Sequence, residues 1–525
     1  MHIVIVHFHL NRGGVTRVIE NHLRALATLT GEKAPTHVTI VYGGRATAWH
    51  QAITDDLPFE CTTAVVPELD YDDESSREHG SKPTADKLLR EIQSALDRSH
   101  CVKDTTVLHI HNYCLGKNAA LPWVIAQLAN DGWGVLLHIH DFSEDLRPAN
   151  YRHMLECAGS VDNLHEELYP QATNIHYAVL NYRDHGLLGR AGIASDRLHL
   201  LPNAVDTKQR PPCAQQAEQA KRKLADKFDI TNDRMYVLYP VRAIRRKNLG
   251  EFLLWSLLVD QATFAVTLAP LNPRELPTYQ AWQSLAESLR LSVLFDVGGE
   301  HELGLDENYA AADAIISTSV AEGFGLVFLE ATLAGRHLVG RSLPGVIDDF
   351  QNAGMEFPGL SESLKMPAEW VDVDELRRKH ITLSIDLRAS FGMPPLEPGE
   401  IGRTVEQNFA GDTIDFGRLD SQMQRDILCR VSSEAELGQV LRELNPVATT
   451  VGKAASTSYQ LCFEANRQVI EQRFSLEVIG DTLSRLYNAV LGSERGRIES
   501  HPSIARSILD SFVRPSELFP IRLQP

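Results

Sequence analysis

The sequence predicts an α/β protein made of two Rossmann-like, doubly wound parallel sheets that face a central ligand cleft. Short segments rich in Val, Ile and Leu alternate with longer helical patterns, which is typical of parallel strands joined by helices. The alternation stops at Pro202 and Asn203, passes through a polar stretch over 208–227, and then begins again. The length of 525 residues accommodates two such domains and an extension, since one domain takes roughly 150 residues.

The predicted elements follow one another in the order that this fold requires. In the first half the strands are His2–His7, His37–Tyr42, Thr106–His111, Gly134–His140, Ile175–Leu180 and Leu198–Leu201, and the helices include Thr16–Leu29 and Lys87–Leu96. In the second half the strands are Tyr236–Tyr239, Ala265–Ala269, Ser292–Asp296 and Ala314–Ser317, and the helices are Leu249–Asp260, Tyr279–Leu289, Gly325–Ala334 and Leu476–Leu491. The region from about 350 to 470 contains prolines and glycines that obscure its pattern.

The composition excludes several classes of protein. The chain has 69 acidic and 51 basic residues, so its formal charge is −18. A field of this sign repels phosphate backbones and anionic lipids, and we therefore expect neither a nucleic-acid nor a membrane partner. The hydrophobic fraction of 43% is that of an ordinary globular protein and excludes a disordered chain.

Cysteine usage and the apolar segments favour a soluble cytoplasmic protein. The seven cysteines are odd in number and show no CxxC or CxxH spacing, which is typical of reduced thiols. The apolar segment Met1–Phe8 is short and has no basic n-region, so it predicts a strand and not a signal peptide. The longest apolar run, Phe252–Val259, is far shorter than the roughly 18 residues of a membrane span.

Two glycines, Gly13 and Gly14, lie between the first predicted strand and the first predicted helix. Glycine lets a ligand approach the backbone closely, and a helix N-terminus favours an anion such as phosphate. A plain tight turn explains the pair equally well. The pair is not the GxGxxG fingerprint of dinucleotide-binding folds, which disfavours a dehydrogenase.

Three His-x-His pairs end predicted strands: His7 and His9, His109 and His111, His138 and His140. Alternation along a strand puts both members of a pair on one face, and the carboxyl ends of parallel strands border the ligand crevice. We expect most of the six to be packed core histidines, with His140 the best placed to reach a substrate. No Asp, Glu or Cys spacing completes a metal site, so we expect no metal here.

A basic cluster follows the predicted strand at 236–239. Arg242, Arg245, Arg246 and Lys247 offer guanidinium forks and an ammonium that suit a diphosphate. A solvated basic loop is the alternative interpretation, and this cluster alone favours it.

A glycine-bracketed segment from Glu322 to Glu330 follows the strand Ala314–Ser317. Its glycines free the backbone at a helix entrance, where N–H groups can hold phosphate or sugar oxygens. Carboxylates accept hydrogen bonds from vicinal hydroxyls, which suits both glutamates to a ribose or a hexose.

Taken together and in this order, these segments resemble the retaining glycosyltransferases of family 4 (GT4), which have the GT-B fold. The matching segments are Gly13-Gly14, His138-Ile-His140-Asp141 (the "HD" strand end), Leu201-Pro-Asn-Ala-Val-Asp206 ("PNGVD"), Val241–Lys247 ("GR…KG") and Ala321–Ala331 ("EGFGL…EA"). The chain departs from the family pattern at Ala204, Val241 and Asn248, each where glycine is usual. The predicted helix Leu476–Leu491 resembles the family's closing helix, which packs back toward the N-terminal domain.

The resemblance implies roles for particular residues. The implied catalytic residues are His140, near the reacting carbon, and Glu322, at the transferred sugar. The implied donor-binding residues are Gly14, Arg242 and Lys247 at the diphosphate, Gly323, Phe324, Gly325 and Leu326 at the sugar, and Glu330 at the ribose. Gly13 and Asn203 are the implied acceptor-binding residues.

The resemblance also implies a function and a division of the chain. The function is transfer of a hexose from a UDP- or GDP-sugar to a hydroxyl of a small soluble acceptor, with no cofactor and no obligatory metal. The alternatives are an epimerase or phosphorylase of the same fold, or a non-catalytic sugar-nucleotide-binding protein. The predicted parts are an acceptor-side domain at 1–205, a donor domain at 206–470 with an inserted segment around 350–470, and a C-terminal helix and tail at 471–525. A homodimer is compatible with the sequence.

Overall fold

A computed structural model of the chain describes residues 1–47, 49, 52–72, 82–208, 210–231, 233–299, 302–455 and 457–523. The chain forms two compact units. Unit 1 comprises Met1–Asp206, Asp386–Pro395 and Gln472–Arg514, and unit 2 comprises Thr207–Ile385, Leu396–Glu471 and the chain from Pro515 onward.

Each unit is built on one parallel sheet, and a separate antiparallel pair adds two short strands to unit 2. The strands of unit 1 are β1 His2–His7, β2 His37–Tyr42, β3 Glu60–Val65, β4 Thr106–His111, β5 Gly134–Ile139, β6 Ile175–Val179 and β7 Leu198–Leu200. The strands of unit 2 are β8 Met235–Arg242, β9 Ala262–Leu268, β10 Val293–Phe295, β11 Ala314–Ser317, β12 His337–Arg341, β13 Leu360–Ser361, β14 Lys365–Pro367 and β15 Thr413–Asp415.

Helices connect and cover these strands. In unit 1 and at the start of unit 2 they are α1 Gly14–Ala27, α2 Ala52–Asp55, α3 Lys82–Arg98, α4 Leu121–Asn130, α5 Pro148–Ala158, α6 Val161–Glu167, α7 Tyr182–Ala191 and α8 Ala214–Phe228. They continue as α9 Leu249–Leu258, α10 Leu276–Ser288, α11 Leu305–Ala311, α12 Leu326–Leu333, α13 Ile347–Asn352, α14 Val373–Ser390, α15 Pro398–Glu406, α16 Ser421–Ser433, α17 Ala435–Leu444, α18 Thr457–Arg473, α19 Leu476–Gly492 and α20 Pro502–Phe512.

The strand orders are those of doubly wound sheets. In unit 1 the order is β3-β2-β1-β4-β5-β6-β7, and in unit 2 it is β10-β9-β8-β11-β12-β13. Every pair within these two sheets is parallel, and only β14 and β15 pair antiparallel. The order reverses between β1 and β4 and between β8 and β11. The predicted fold class is confirmed.

The core of unit 1 joins both ends of the chain. Residues of β1 and α1, among them Ile5 and Leu23, share one hydrophobic cluster with Leu483 and Tyr487 of α19. The two helices approach so closely that a Cβ on Gly480 would clash with the carbonyl oxygen of Ala25. Helix α19 is therefore part of the unit that β1 begins.

The segment from 350 to 470 contributes to the core of unit 2. Leu376 of α14, Ile414 of β15 and Ile427 of α16 are buried in one cluster with Val237 of β8 and Phe252 of α9. The segment completes the hydrophobic layer outside α9.

The unit boundaries differ from the predicted division at two places. Residues 386–395 lie in unit 1, where the ring of Phe391 packs edge-on against Tyr151 with their centroids 5.0 Å apart. The chain from Pro515 onward lies in unit 2, because Arg418 donates hydrogen bonds to the carbonyl oxygens of Ser516 and Leu518, at 2.9 and 2.8 Å. Among the described residues, none of the helices has both the length and the apolar character to cross a membrane.

Candidate active site

Two groups of predicted site residues lie where the strand order of their sheet reverses, one group in each unit. In open α/β sheets, ligands bind beyond the carboxyl ends of the strands at such a point. In unit 2 this point is reached by Lys247, which follows β8, and by Glu322, which follows β11. In unit 1 it is reached by the loop after β1, which carries Gly13 and Gly14, and by the end of β4.

Lys247 and Glu322 form a buried ion pair in unit 2. The same carboxylate accepts a hydrogen bond from the hydroxyl of Ser319 at 2.6 Å, and a guanidinium nitrogen of Arg246 lies 3.8 Å from its other oxygen. Burial raises the pKa of Glu322, but the charges of Lys247 and Arg246 outweigh it and hold that pKa below its usual range. Glu322 is therefore a fixed, ionised acceptor at neutral pH.

Hydrogen bonds join the loop after β8 to the loop after β11. The carbonyl oxygen of Lys247 accepts from the hydroxyls of Thr318 and Tyr239, at 2.9 and 3.1 Å. The backbone N–H of Val320 donates to the carbonyl oxygen of Arg246 at 2.9 Å. The ammonium and the carboxylate are held in place before any ligand binds, as electrostatic catalysis requires.

Asn248 explains one departure from the family pattern. Its backbone has φ +51° and ψ +61°, the left-handed region that glycine adopts most easily and asparagine tolerates best among the other residues. Its amide donates to Glu251 at 2.8 Å and accepts from Gln424 at 3.2 Å. Asparagine thus replaces the usual glycine while keeping the turn that presents Lys247.

The glycine segment leads into α12, and its residues differ in what they contact. Gly325 has φ +83°, and a Cβ there would lie 2.5 Å from the ring of Phe328, so only glycine fits. The ring of Phe324 is buried 5.4 Å from that of Phe350, which gives its side chain a packing role in this structure. Leu326 is the first residue of α12, and Gly323 precedes the buried Phe324 in the loop.

Arg242 and Glu330 contact other parts of unit 2. Arg242 ends β8 and donates to the carbonyl oxygen of Ala269 at 2.8 Å. Glu330 lies on α12 and accepts a hydrogen bond from the hydroxyl of Tyr309 at 3.1 Å. The structure thus joins Lys247 to Glu322 directly, whereas Arg242 bonds to Ala269 and Glu330 to Tyr309.

Gly13 and Gly14 begin α1 in unit 1, and both are exposed. Gly13 is extended, with φ −176°, and Gly14 is helical, so neither adopts a conformation that favours glycine. A Cβ on Gly14 would meet nothing within 4 Å among the described residues. No requirement of the turn itself therefore explains the glycines, and open space lies over the N-terminus of α1.

His140 lies directly after β5 and is 5% exposed. Its Nε2 is 2.9 Å from Nδ1 of His111, and its backbone N–H donates to the side-chain oxygen of Asn112 at 3.0 Å. Burial lowers the pKa of His140 to about 4, so its ring is neutral at pH 7. Asn112 also accepts from the backbone N–H of Asp141 at 2.9 Å, which fixes the strand end.

Asn203 and Ala204 form the buried interdomain segment of the motif. The side-chain oxygen of Asn203 is buried and has no hydrogen-bond partner within the described part of the chain. The carbonyl oxygen of Ala204 accepts from the amide of Asn21 at 2.8 Å. The φ of Ala204 is not positive, which is why alanine fits where the family has glycine.

The His-x-His pairs are mostly packed in the core. Five of the six histidines are buried, and of the six only His9, which bonds to the Tyr71 hydroxyl at 3.0 Å, is partly exposed. The prediction that most of the six are core histidines is confirmed, and the rings of β4 and β5 pack against His22 of α1 and Tyr487 of α19. His22 of α1 joins them, with its ring 5.5 Å from that of His109.

Several residues of the site were not predicted from the sequence. Ser319 and Tyr239, whose hydroxyls lie 2.7 Å apart beside Glu322, belong to this group, and so does Asn112. The run Ser317-Thr318-Ser319 at the end of an apolar strand is the pattern that could have predicted polar contacts there. Asn112 could have been found because it follows a His-x-His strand end.

Glu144 lies in the loop after His140 and is fully buried. Its carboxylate accepts hydrogen bonds from the hydroxyls of Ser143 and Tyr169, both at 2.9 Å. Burial raises the pKa of Glu144 from 4.5 to about 7. The folded chain thus binds this proton more tightly than the unfolded chain, so this group's contribution to stability is full below pH 4.5 and is lost as the pH rises toward 7.

The Glu144→Gln variant is expected to remove this loss, since a neutral amide replaces the carboxylate. The difference in free energy of unfolding between this variant and the wild type should therefore grow by about 3 kcal/mol in favour of the variant from pH 5 to pH 8. Thermal midpoints of both proteins at the two pH values measure the effect, with Glu156→Gln on the exposed face of α5 as the control. Equal pH dependence in the wild type and Glu144→Gln would contradict this assignment.

Comparison with known proteins identifies relatives of this chain. No family model matches the chain. It is 27% identical over 450 residues to mannosylglucosyl-3-phosphoglycerate synthase of Petrotoga mobilis, covering 84% of this chain and 83% of the relative. It is 24% identical over 306 residues to mannosylglucosylglycerate synthase of the same organism, covering 52% of this chain and 68% of the relative.

A solved structure supports the same architecture. Sucrose-phosphate synthase from Thermosynechococcus elongatus superposes with a TM-score of 0.53 at 14% identity, covering 93% of this chain and 98% of that one. The resemblance to GT-B glycosyltransferases is confirmed, and so is the prediction of a glycosyltransferase enzyme.

Proposed function

We propose that this enzyme transfers a mannosyl group, with retention of configuration, from a nucleoside diphosphate mannose to a hydroxyl of a small phosphorylated glucoside. The observation that carries the proposal is the Lys247–Glu322 pair, held beyond β8 and β11 where the strand order reverses. The names of the two relatives suggest the sugar and the acceptor, because both name a mannosylglucosyl product. The longer match, to the phosphorylated product, favours glucosyl-3-phosphoglycerate as the acceptor.

The donor is assigned to unit 2. A lysine ammonium has three N–H donors, so Lys247 can bond to Glu322 and to a phosphate oxygen at the same time. Arg242, the last residue of β8, adds a guanidinium for the diphosphate. Glu330 accepts hydrogen bonds from the ribose hydroxyls. Glu322 accepts from hydroxyls of the transferred sugar, and backbone N–H groups of 323–326 hold its oxygens.

The transfer balances without a redox partner. The acceptor oxygen forms a bond to the anomeric carbon on the face from which the diphosphate leaves, and the bond from that carbon to the phosphate oxygen breaks. The acceptor proton passes to the departing phosphate oxygen. Lys247 and Arg242 stabilise the negative charge that develops there, so this step requires no divalent cation. The neutral ring of His140 contacts the sugar near the reacting carbon.

The acceptor is assigned to unit 1. Arg12, Gly13 and Gly14 are three consecutive exposed residues at the N-terminus of α1, where backbone N–H groups and the helix dipole favour a phosphate. Asn203, whose buried side-chain oxygen has no partner among the described residues, is assigned to an acceptor hydroxyl. We expect Arg12→Ala to raise KM for glucosyl-3-phosphoglycerate and to leave KM for unphosphorylated glucosylglycerate unchanged.

The Gly14→Ala variant separates a ligand contact from a structural requirement. Alanine fits the helical backbone and the open space at Gly14, and it favours a helix, so the thermal midpoint should stay equal or rise slightly. If a ligand lies against this backbone, the added methyl group should lower kcat/KM by about tenfold or more, since a small displacement of a bound reactant is costly. An unchanged kcat/KM would contradict the contact.

The assay that tests the proposal pairs two donors with two acceptors. GDP-mannose and UDP-mannose are each incubated with glucosyl-3-phosphoglycerate or glucosylglycerate, and free nucleoside diphosphate is measured. Release that depends on an acceptor supports transfer. Epimerised donor, phosphate-dependent release, or donor binding with no turnover would replace the proposal by an epimerase, a phosphorylase or a non-catalytic binding protein.

A further inference from the structure

Four fully buried histidines of unit 1 converge beneath α1. His22 comes from α1, His109 and His111 from β4, and His138 from β5. Each offers one ring nitrogen, and these four nitrogens all lie within 4.8 Å of one another. Alternation along β4 points the rings of His109 and His111 to the same face of the sheet. His138 of the neighbouring strand β5 pairs with His111, and α1 crosses this face and adds His22.

The hydrogen bonds of this cluster are incomplete. Neither ring nitrogen of His22 has a hydrogen-bond partner among the described residues, and the same holds for Nε2 of His111. A neutral imidazole carries one donor and one acceptor, and each one left unsatisfied in a core costs about 1–3 kcal/mol. Such groups are rare in folded proteins and call for an unseen partner.

Contacts outside the cluster orient the rings. Nδ1 of His109 lies 2.9 Å from the hydroxyl of Tyr487, and Nδ1 of His111 lies 2.9 Å from Nε2 of His140. These contacts occupy Nδ1 of both rings. Inside the cluster, Nε2 of His111 has no partner among the described residues, and Nε2 of His109 lies 3.3 Å from Nδ1 of His138. Histidines that bind metals are oriented in this way, by a hydrogen bond from the ring nitrogen that does not bind the metal.

We propose that His22, His109, His111 and His138 bind a transition-metal dication of the zinc class. Neutral imidazoles suit Zn²⁺, Co²⁺, Ni²⁺ and Cu²⁺, whereas Mg²⁺ and Ca²⁺ require oxygen ligands. Four nitrogens about 2.0–2.1 Å from a tetrahedral ion lie about 3.4 Å apart, so small ring rotations close the site. The expectation of no metal depended on missing Asp, Glu and Cys spacings, and here His22 supplies the remaining ligand.

The ion would have a structural role that is independent of the proposed sugar transfer. It would tie α1 to β4 and β5 and satisfy the nitrogens that have no protein partner. The diphosphate would still be bound by Lys247 and Arg242 of unit 2.

The test uses the full chain, without a histidine tag, after dialysis against a chelator. We expect one equivalent of Co²⁺ to bind per chain with the intense visible absorption of a tetrahedral site, and Zn²⁺ to displace it. Saturating Zn²⁺ should raise the thermal midpoint by roughly 5 °C or more, because the ion binds only the folded state. Weak octahedral Co²⁺ spectra and an unchanged midpoint would overturn the proposal.

Variants locate the site. His22→Phe should lose the tetrahedral Co²⁺ spectrum and the Zn²⁺-dependent rise in midpoint. His199→Gln is the matched control, since His199 also contacts a histidine of unit 1, His176, at 2.7 Å but lies outside the cluster. A tetrahedral site that survives in His22→Phe would overturn the proposal. If His22→Phe does not fold, the wild-type titration decides alone.

Discussion

The Lys247→Ala variant is expected to lose about 100- to 1000-fold in kcat/KM for transfer while it still folds. Lys247 is the buried cation that holds Glu322 ionised and that faces the proposed diphosphate. Removing one fixed charge that stabilises a developing anion costs about 3–4 kcal/mol of barrier, which corresponds to this factor. Steady-state kinetics with a saturating acceptor measures the loss.

A matched control and a second variant separate this effect from a loss of stability. Lys221 also bonds to a carboxylate, that of Asp313, at 2.6 Å, but it lies at the opposite end of β11, so Lys221→Ala should keep normal turnover. Lys247→Ala leaves Glu322 buried beside fewer positive charges and should lower the thermal midpoint. Adding Glu322→Gln should recover the midpoint but not the activity. Near-normal turnover of Lys247→Ala would contradict the assignment.

The Arg341→Met variant is expected to lose about 3–5 kcal/mol in the free energy of unfolding. Arg341 of β12 is fully buried between the carboxylates of Glu251 and Asp415, and its two nitrogens reach Asp415 at 2.9 and 2.7 Å. The two carboxylates raise the pKa of Arg341, although burial opposes them. Removing the shared cation leaves the buried carboxylate of Glu251 and the partly exposed carboxylate of Asp415 without their counter-charge, which is the costly way to break a buried ion pair. Thermal and urea unfolding measure the loss, which corresponds to a fall of roughly 6–15 °C in midpoint.

An exposed ion pair of the same unit is the control for Arg341. Lys379 bonds to Asp420 at 2.7 Å, but its side chain is 42% exposed, so Lys379→Ala should cost at most about 1 kcal/mol. Replacing the whole buried set, as Arg341→Met with Glu251→Leu and Asp415→Asn, should restore much of the stability. A loss below about 1 kcal/mol in Arg341→Met alone would show that the triad does not hold α9, β12 and the β14–β15 pair together.

Most of the strands that were predicted from the sequence are central and buried, but the buried strand β12, His337–Arg341, was not predicted, because a histidine, a glycine and an arginine interrupt its apolar pattern. Strands β1, β2, β4 and β11 have the predicted bounds, because central parallel strands form short continuous apolar runs. Strand β3, Glu60–Val65, was not predicted. It lies at the edge of its sheet and carries mostly exposed or half-exposed residues, so it lacks that pattern. The polar stretch over 208–227, where no helix was predicted, contains most of α8, an amphipathic helix with few apolar residues.

The site was predictable only where its residues form continuous motifs. The Lys247–Glu322 pair joins two such motifs, and a parallel sheet brings the ends of its adjacent strands together. The unpredicted parts depend on tertiary contacts. His22 occupies an ordinary interior position of an amphipathic helix, so only the packing of α1 shows that it meets His109. The structure of residues 350–470 could not be predicted, because their apolar positions pack on α9 and do not follow the pattern of a sheet of their own.

The most direct test of the central claim is the product itself. The wild-type enzyme is incubated with GDP-mannose labelled with ¹³C at the anomeric carbon and with glucosyl-3-phosphoglycerate, and the product is followed by NMR. The account predicts a new mannosyl–glucosyl linkage whose anomeric configuration is that of the donor, formed together with an equal amount of GDP. Label that remains in the donor, appears as free mannose, or enters a product of inverted configuration would contradict it.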